Sequence, residues 1–199
     1  MAEAGRVIAG SAGGIRLLAP GAGTRPLADR VKQAVFATLE PDLPGAAVLD
    51  LFAGSGAAAI EALSRGAARA VLVEHDPGAV RVIGENLRRA SVGDRAIVVR
   101  RDVLRYLAAG PEATGPMGAW PFDVAIVDPP YVEEALREAT LERLGSADRR
   151  LPVVVRSGGR VVVTCFWKKP PPAEVGLLAS VRTRRFGETA VVLYRRRDI

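Results

Sequence analysis

From Ala47 onward short apolar runs alternate with helical stretches, and this alternation limits the chain to few folds. Residues 47–50, 70–74, 96–99, 122–127 and 160–164 read as buried strands. Residues 57–65, 77–90, 103–108 and 133–144 read as the helices between them, with Val80, Ile83 and Leu87 on the inward stripe of the second. Strand–helix alternation of this kind builds a parallel, doubly wound sheet. Residues 180–185 and 190–195 flank Phe186-Gly187-Glu188 and read as an antiparallel hairpin. The expected fold is therefore α/β, doubly wound, with a mostly parallel seven-stranded sheet. Ahead of it, residues 6–9 and 15–18 read as a small β-hairpin around a glycine-rich turn. Residues 29–39 read as a helix with Val31, Val35 and Leu39 on one stripe and Arg30 and Lys32 off it. Two parts follow: an N-terminal hairpin-and-helix extension, 1–45, and the main domain, 46–199.

In an open α/β sheet a ligand binds beyond the carboxyl ends of the strands, near the point where strand order reverses. The residues found there are unusual. The first strand ends in Asp50-Leu51-Phe52-Ala53-Gly54-Ser55-Gly56, whose glycines permit close approach to the backbone. The second ends in Glu74-His75, where a carboxylate can grip both ribose hydroxyls, and the third leads to Asp102-Val103, placed to accept from an adenine amine. The fourth ends in Asp128-Pro129-Pro130-Tyr131. The prolines fix φ and remove two N–H donors, which frees carbonyls to accept. Asp128 adds an acceptor and Tyr131 a stacking face. Together they suit a planar base with an exocyclic amine.

Two cofactors compete for the glycine loop. Gly54-x-Gly56-x-x-Ala59, followed by Glu74, formally meets the dinucleotide fingerprint of an NAD-dependent oxidoreductase. Asp50 opposes that reading, because an acid ahead of the loop repels a pyrophosphate. Asp50, Glu74 and Asp102 favour a ligand with an adenosine half and a cationic half, namely S-adenosylmethionine. The plainer alternative makes these acids helix N-caps.

Charge points to a partner. Net charge is +6, and residues 149–199 carry 12 Lys/Arg against 3 acids. A basic C-terminal part suggests a nucleic acid. Candidate phosphate contacts are Arg6, Arg16, Arg30 and Lys32 in the extension, with Arg182, Arg184 and Arg185 in the hairpin. One Cys and one His argue against a disulfide framework and a His/Cys metal site, so no metal is expected. No apolar run is long enough to span a membrane and no signal-peptide pattern opens the chain, so a cytoplasmic location and no membrane partner are expected.

Val48-Leu49-Asp50-Leu51-Phe52-Ala53-Gly54-Ser55-Gly56 with Asp128-Pro129-Pro130-Tyr131 resembles the class I amino-methyltransferases. Residues 6–10, the stretch Thr24-Arg25-Pro26-Leu27-Ala28-Asp29-Arg30-Val31-Lys32 and residues 186–194 narrow the resemblance to the RsmD family of bacterial rRNA guanine-N2 methyltransferases. The resemblance implies a Rossmann-like fold and methyl transfer from S-adenosylmethionine to a guanine of 16S rRNA, in assembled or assembling small subunits. It places Asp50, Ala53 and Gly54 along the methionine half, Glu74 at the ribose and Asp102 at the adenine, with Phe52, Ser55, Gly56, His75 and Val103 also against the cofactor. It sets Thr24 and Arg25 near the cofactor carboxylate or the substrate, and Asp128 to Tyr131 around the guanine, with Asp128 also beside the cofactor. A monomer is expected. The competing class is a DNA adenine-N6 or cytosine-N4 methyltransferase, since the same tetrapeptide serves those amines.

Overall fold

A computed structural model describes residues 3–21, 29–111, 118 and 120–198. Among them, β1 (Glu3–Arg6) and β2 (Arg16–Leu18) form an antiparallel pair, followed by α1 (Asp29–Leu39). The main sheet then begins with β3 (Ala47–Asp50), α2 (Ala57–Ser64), β4 (Arg69–Glu74), α3 (Pro77–Arg89) and β5 (Ala96–Arg100). It continues with α4 (Val103–Ala109), β6 (Phe122–Val127), α5 (Glu134–Leu144) and β7 (Val155–Phe166). It closes with β8 (Glu174–Val175), β9 (Leu178–Phe186) and β10 (Thr189–Arg196).

The sheet order is β5-β4-β3-β6-β7-β10-β9-β8. β3 to β7 run parallel and β10, β9 and β8 antiparallel. The seven expected strands are all present. The eighth, β8, has two residues on the sheet edge, too short for a period-2 pattern to mark it. Strand order reverses between β3 and β6, so the crevice beyond their carboxyl ends is the natural ligand site.

Two hydrophobic cores cover the two faces. One packs α1, α2, α3 and the hairpin against Val48, Leu72, Val124 and Val162. The other packs α4 and α5 against Leu49, Val71, Ala125 and Val163. Alternate residues of each strand therefore serve opposite cores, as doubly wound strands must. Residues of the extension and of the main domain contribute to the same first core.

The extension is also pinned by polar contacts. Glu61 of α2 is fully buried and accepts from the N–H groups of Ile8 (2.7 Å) and Ala9 (3.1 Å). This explains why β1 ends at Arg6 and not at Ala9: those two donors leave the ladder for a carboxylate. Ser64 accepts from Ala12 N–H and donates to the Ala9 carbonyl. Asn86 accepts from Leu18 N–H and donates to the carbonyls of Leu18 and Ser55. Gly10 permits the contact, because a Cβ there would lie 1.9 Å from the Ser64 carbonyl oxygen.

Two other elements differ from the sequence reading. β7 extends back to Val155 through Gly158-Gly159, which sit in a register shift against β6 and are not a strand end. In α1, Lys32 is buried with the apolar stripe, beside Val31, Val35 and Phe36. Its ammonium donates to the Arg6 carbonyl and lies 3.5 Å from Asp29, and burial lowers its pKa. Lys32 is thus a structural cation, corrected from its expected place among the phosphate contacts. Arg6, Arg16, Arg30, Arg182, Arg184 and Arg185 are exposed.

Candidate active site

Four acids, Asp50, Glu74, Asp102 and Asp128, stand along the carboxyl edge of the sheet because parallel strands deliver their last residues to one edge, and the first, second and fourth interact. Asp50 is 2% exposed and accepts from Ala59 N–H in the first turn of α2 (3.2 Å). In register it faces Ile126 on β6, so Asp128 stands two residues beyond its neighbour. Burial, then the nearby Asp128 carboxylate, pushes the Asp50 carboxyl up to about 7. Asp128, half-buried, is pushed up to about 6 by desolvation, opposed by a hydrogen bond donated by Thr164 Oγ1. Among the described residues neither acid has a cationic side chain in ion-pair contact. A cation between them would reverse both shifts, because opposite charge favours the ionised carboxylate.

Glu74 organises the glycine loop. Its Oε2 accepts from Gly54 N–H (2.8 Å) and its Oε1 from the N–H groups of His75 (2.8 Å) and Asp76 (2.9 Å). His75 is exposed, with Nδ1 3.2 Å from Glu74 Oε1. Ala53 N–H reaches the Val73 carbonyl, so the loop is tied to β4 at two points. Phe52 is half-buried, and Ser55 is buried with its carbonyl taken by Asn86. The two glycines have different work. A Cβ on Gly54, at φ +53°, would meet only the Phe52 carbonyl oxygen at 4.0 Å, so this side of the loop is open. A Cβ on Gly56 would press on Leu72, Ile83 and Ile60, so its lack of a side chain serves the core.

Asp102 is exposed and caps α4, accepting from Arg105 N–H at 3.0 Å, with Val103 buried behind it. The helix-cap alternative therefore holds for Asp102, while α2 and α3 take Gly56 and Asp76 as their caps and Asp50 reaches Ala59 N–H from outside the cap position. It does not account for the buried neighbouring charge of Asp50 and Asp128. Thr24 and Arg25 lie outside the described residues, as does most of the 110–121 loop.

Beyond β6, Pro129 is buried and Pro130 exposed. The Pro130 carbonyl accepts from Glu133 N–H (2.9 Å), whereas among the described residues the Pro129 carbonyl takes no such turn bond. Tyr131 OH shares a 2.7 Å hydrogen bond with Thr189 Oγ1 at the start of β10. Thr164 and Thr189 were not anticipated from sequence. They lie 36 and 58 residues from their partners, and a lone Thr in a strand carries no local signal.

The site suits a cationic ligand and disfavours a pyrophosphate, whose charge the Asp50 and Asp128 carboxylates would oppose. Among the described residues no group of three or more His, Cys, Asp or Glu is arranged to hold a metal ion.

Known proteins resemble this chain along most of its length. The model of the family described as Conserved hypothetical protein 95 matches residues 5–195. A Bacillus subtilis protein, YlbH, whose name marks it as a candidate rRNA methyltransferase, is 36% identical over 96% of this chain and 99% of its own. Escherichia coli ribosomal RNA small subunit methyltransferase D is 37% identical over 67% of this chain and 63% of that one. The chain belongs to the RsmD family. Among solved structures, Escherichia coli yhhF, named as a candidate methyltransferase, superposes with a TM-score of 0.82 at 30% identity over 96% of this chain and 97% of its own. A Salinibacter ruber RNA methyltransferase, solved with S-adenosyl-L-homocysteine, shares the fold at 20% identity and a TM-score of 0.60, over 87% and 95% of the two chains. The RsmD-family chain thus has the doubly wound sheet expected from its strand–helix alternation and the class I methyltransferase fold that its resemblance implies.

Proposed function

We propose that this RsmD-family protein transfers a methyl group from S-adenosylmethionine to the exocyclic N2 of a guanine in 16S rRNA, in assembled or assembling small subunits. The observation that carries the reading is the pair of carboxyls, Asp50 and Asp128, raised by burial and set at the ends of adjacent strands beside an Asp-Pro-Pro-Tyr clamp. Such a pair fits a ligand with a positive centre and an amine acceptor at the same place.

S-adenosylmethionine supplies, when bound, a methyl already activated on a sulfonium. The chain's task is then binding and orientation. Asp50 and the open side of Gly54 would hold the methionine half, Glu74 the ribose, and Asp102 the adenine edge. An aromatic exocyclic amine is a poor nucleophile because its lone pair is delocalised into the ring. Asp128 and the Pro129 carbonyl would accept its two N–H bonds, favour a tetrahedral nitrogen and aim the lone pair. This is catalysis by orientation and preorganised electrostatics. Thr164 holds the Asp128 carboxylate in place for it, and Tyr131, fixed by Thr189, stacks on the base. Asp128 would also take the released proton. The target base must leave its stack, at a cost of about a few kcal/mol, which stacking on Tyr131 partly offsets.

Location in the cytoplasm and action as a monomer belong to the same proposal. Among the described residues no helix is long and apolar enough to cross a membrane. The test is methyl transfer into small subunits that lack the modification, followed by nucleoside analysis. N2-methylguanine is the expected product. Unmodified RNA, or transfer only to adenine or cytosine of DNA, would overturn the reading.

A further inference from the structure

The three arginines of the β9–β10 hairpin do not form one patch. Arg182 and Arg184 point with Phe186 to the α1 face, where they line a groove with Ala34, Thr38 and Leu193. Arg185 points to the other face. Its guanidinium carbon sits 3.4 Å from the ring centroid of Trp167, a stacking distance, and its Nε donates to the Gly187 carbonyl at 2.8 Å. Lys168 Nζ is 5.5 Å from the same ring. Trp167 is half-buried and its backbone N–H donates to the Glu188 carbonyl (3.0 Å), while Arg185 is exposed. The result is a flat guanidinium, backed by an indole and held at two points, with its outer side to solvent.

Its position gives it meaning. Phe166, the residue before Trp167, pairs in register with Thr189, and Thr189 bonds the hydroxyl of Tyr131. Thr189 shares a sheet face with Phe166 and Phe186, opposite Trp167 and Arg185, but Lys169, two residues past Trp167, bonds Glu134, three residues past Tyr131, so the stack stands at the carboxyl edge next to the segment that follows the clamp. Val132, next to Tyr131 in the chain, is 89% exposed and offers an apolar contact. RNA bases stack on arginine planes as well as on aromatic rings, and an arginine already fixed loses less freedom on binding than a free one.

We propose that the Arg185 guanidinium, stacked on Trp167, is a platform for an unstacked nucleobase of the RNA next to the target base. This rests on the RNA-methyltransferase reading above and adds a substrate subsite to it. Taking the target out of its stack exposes a face of its neighbour, and a cationic plane at the carboxyl edge would cover it. The stack also ties the hairpin together, so the test must separate stacking from folding.

The experiment measures KM and kcat for undermethylated small subunits, and the dissociation constant for S-adenosylmethionine, in the full-length wild type and in Arg185→Ala, Arg185→Lys and Trp167→Ala. Lys keeps the charge and loses the plane. Loss of one base stack should raise KM by about 5- to 100-fold in Arg185→Ala and nearly as much in Arg185→Lys, with cofactor affinity and thermal midpoint close to wild type. Trp167→Ala should fall between wild type and Arg185→Ala. Arg185→Lys equal to wild type would make Arg185 a simple phosphate contact and overturn the platform. Arg185→Ala within twofold of wild type would also overturn it. In both cases wild-type turnover keeps the functional reading standing. Wild type that leaves the subunits unmethylated overturns that reading and the platform with it.

Discussion

The two halves of the carboxyl edge are built differently. At the ends of β3 and β4, the acids Asp50 and Glu74 are buried and tied to backbone N–H groups of the glycine loop and α2. At the ends of β6, β7 and β9, the side chains are aromatic, apolar or cationic and reach solvent: Tyr131, Val132, Trp167, Lys168 and Arg185. A rigid, acidic, enclosed half suits a small cationic ligand that must be held the same way each turnover. An open, basic, aromatic half suits a polyanion that arrives with its own shape. Asp128 belongs to both, since it raises the Asp50 carboxyl and terminates the strand that carries Tyr131.

The division can be broken at Asp128 first. Asp128→Ala should lower kcat for methyl transfer by about 10²- to 10³-fold, the usual cost of one preorganised polar contact to the reacting group, while calorimetry still registers S-adenosylmethionine. Near-wild-type turnover would remove Asp128 from the chemistry. Glu74→Ala should act on the other half. It frees three backbone N–H groups and removes the proposed ribose contact, so cofactor affinity should drop by about 10- to 100-fold, with kcat at saturation much less affected. Unchanged affinity in a titration would move the nucleoside elsewhere.

Asp50→Asn sharpens the comparison through pH. The Asp50 carboxyl has an ordinary pKa of 3.8 and is raised to about 7 in the fold. Folding therefore takes up a proton between those values. The stabilisation this gives is fully present below the unfolded pKa and is lost as pH rises through about 7. The free wild-type protein should melt lower at pH 8 than at pH 5, and Asp50→Asn should flatten that slope while weakening cofactor binding. A wild-type midpoint that rises over this range would contradict the buried-charge assignment. The smallest effect belongs to the groove: Arg182→Ala with Arg184→Ala should lower the salt dependence of RNA affinity by roughly one to two in log–log slope. An unaltered slope would place the RNA path away from the α1 face.

Much of this was legible in one dimension. Strand ends could be named because apolar runs stop at Asp50, Glu74 and Asp128, and a parallel sheet brings such ends together whatever the helices contain. The cap role of Asp102 was weighed as an alternative and is what the α4 terminus displays. Lys32 was misread because a helical stripe of five buried positions has room for an aliphatic stem, and only the Arg6 carbonyl and Asp29 tell where the ammonium goes. The β7 bulge was hidden for a similar reason: Gly158-Gly159 reads as a break when the partner strand is unknown.

By itself the sequence determined the alternation that makes a doubly wound sheet, the acids at its edge and the clamp that follows β6. These are local properties, set by period, by proline and glycine geometry and by the charge on single residues. Tertiary structure alone decided that Asp50 and Asp128 share a desolvated space, that Gly54 faces outward and Gly56 inward, and that Thr164 and Thr189 steady the clamp. It also split the basic hairpin, sending Arg182 and Arg184 to one face and Arg185 onto Trp167. Such pairings depend on register across strands far apart in the chain, and register is fixed only when both faces of the sheet have found their cores.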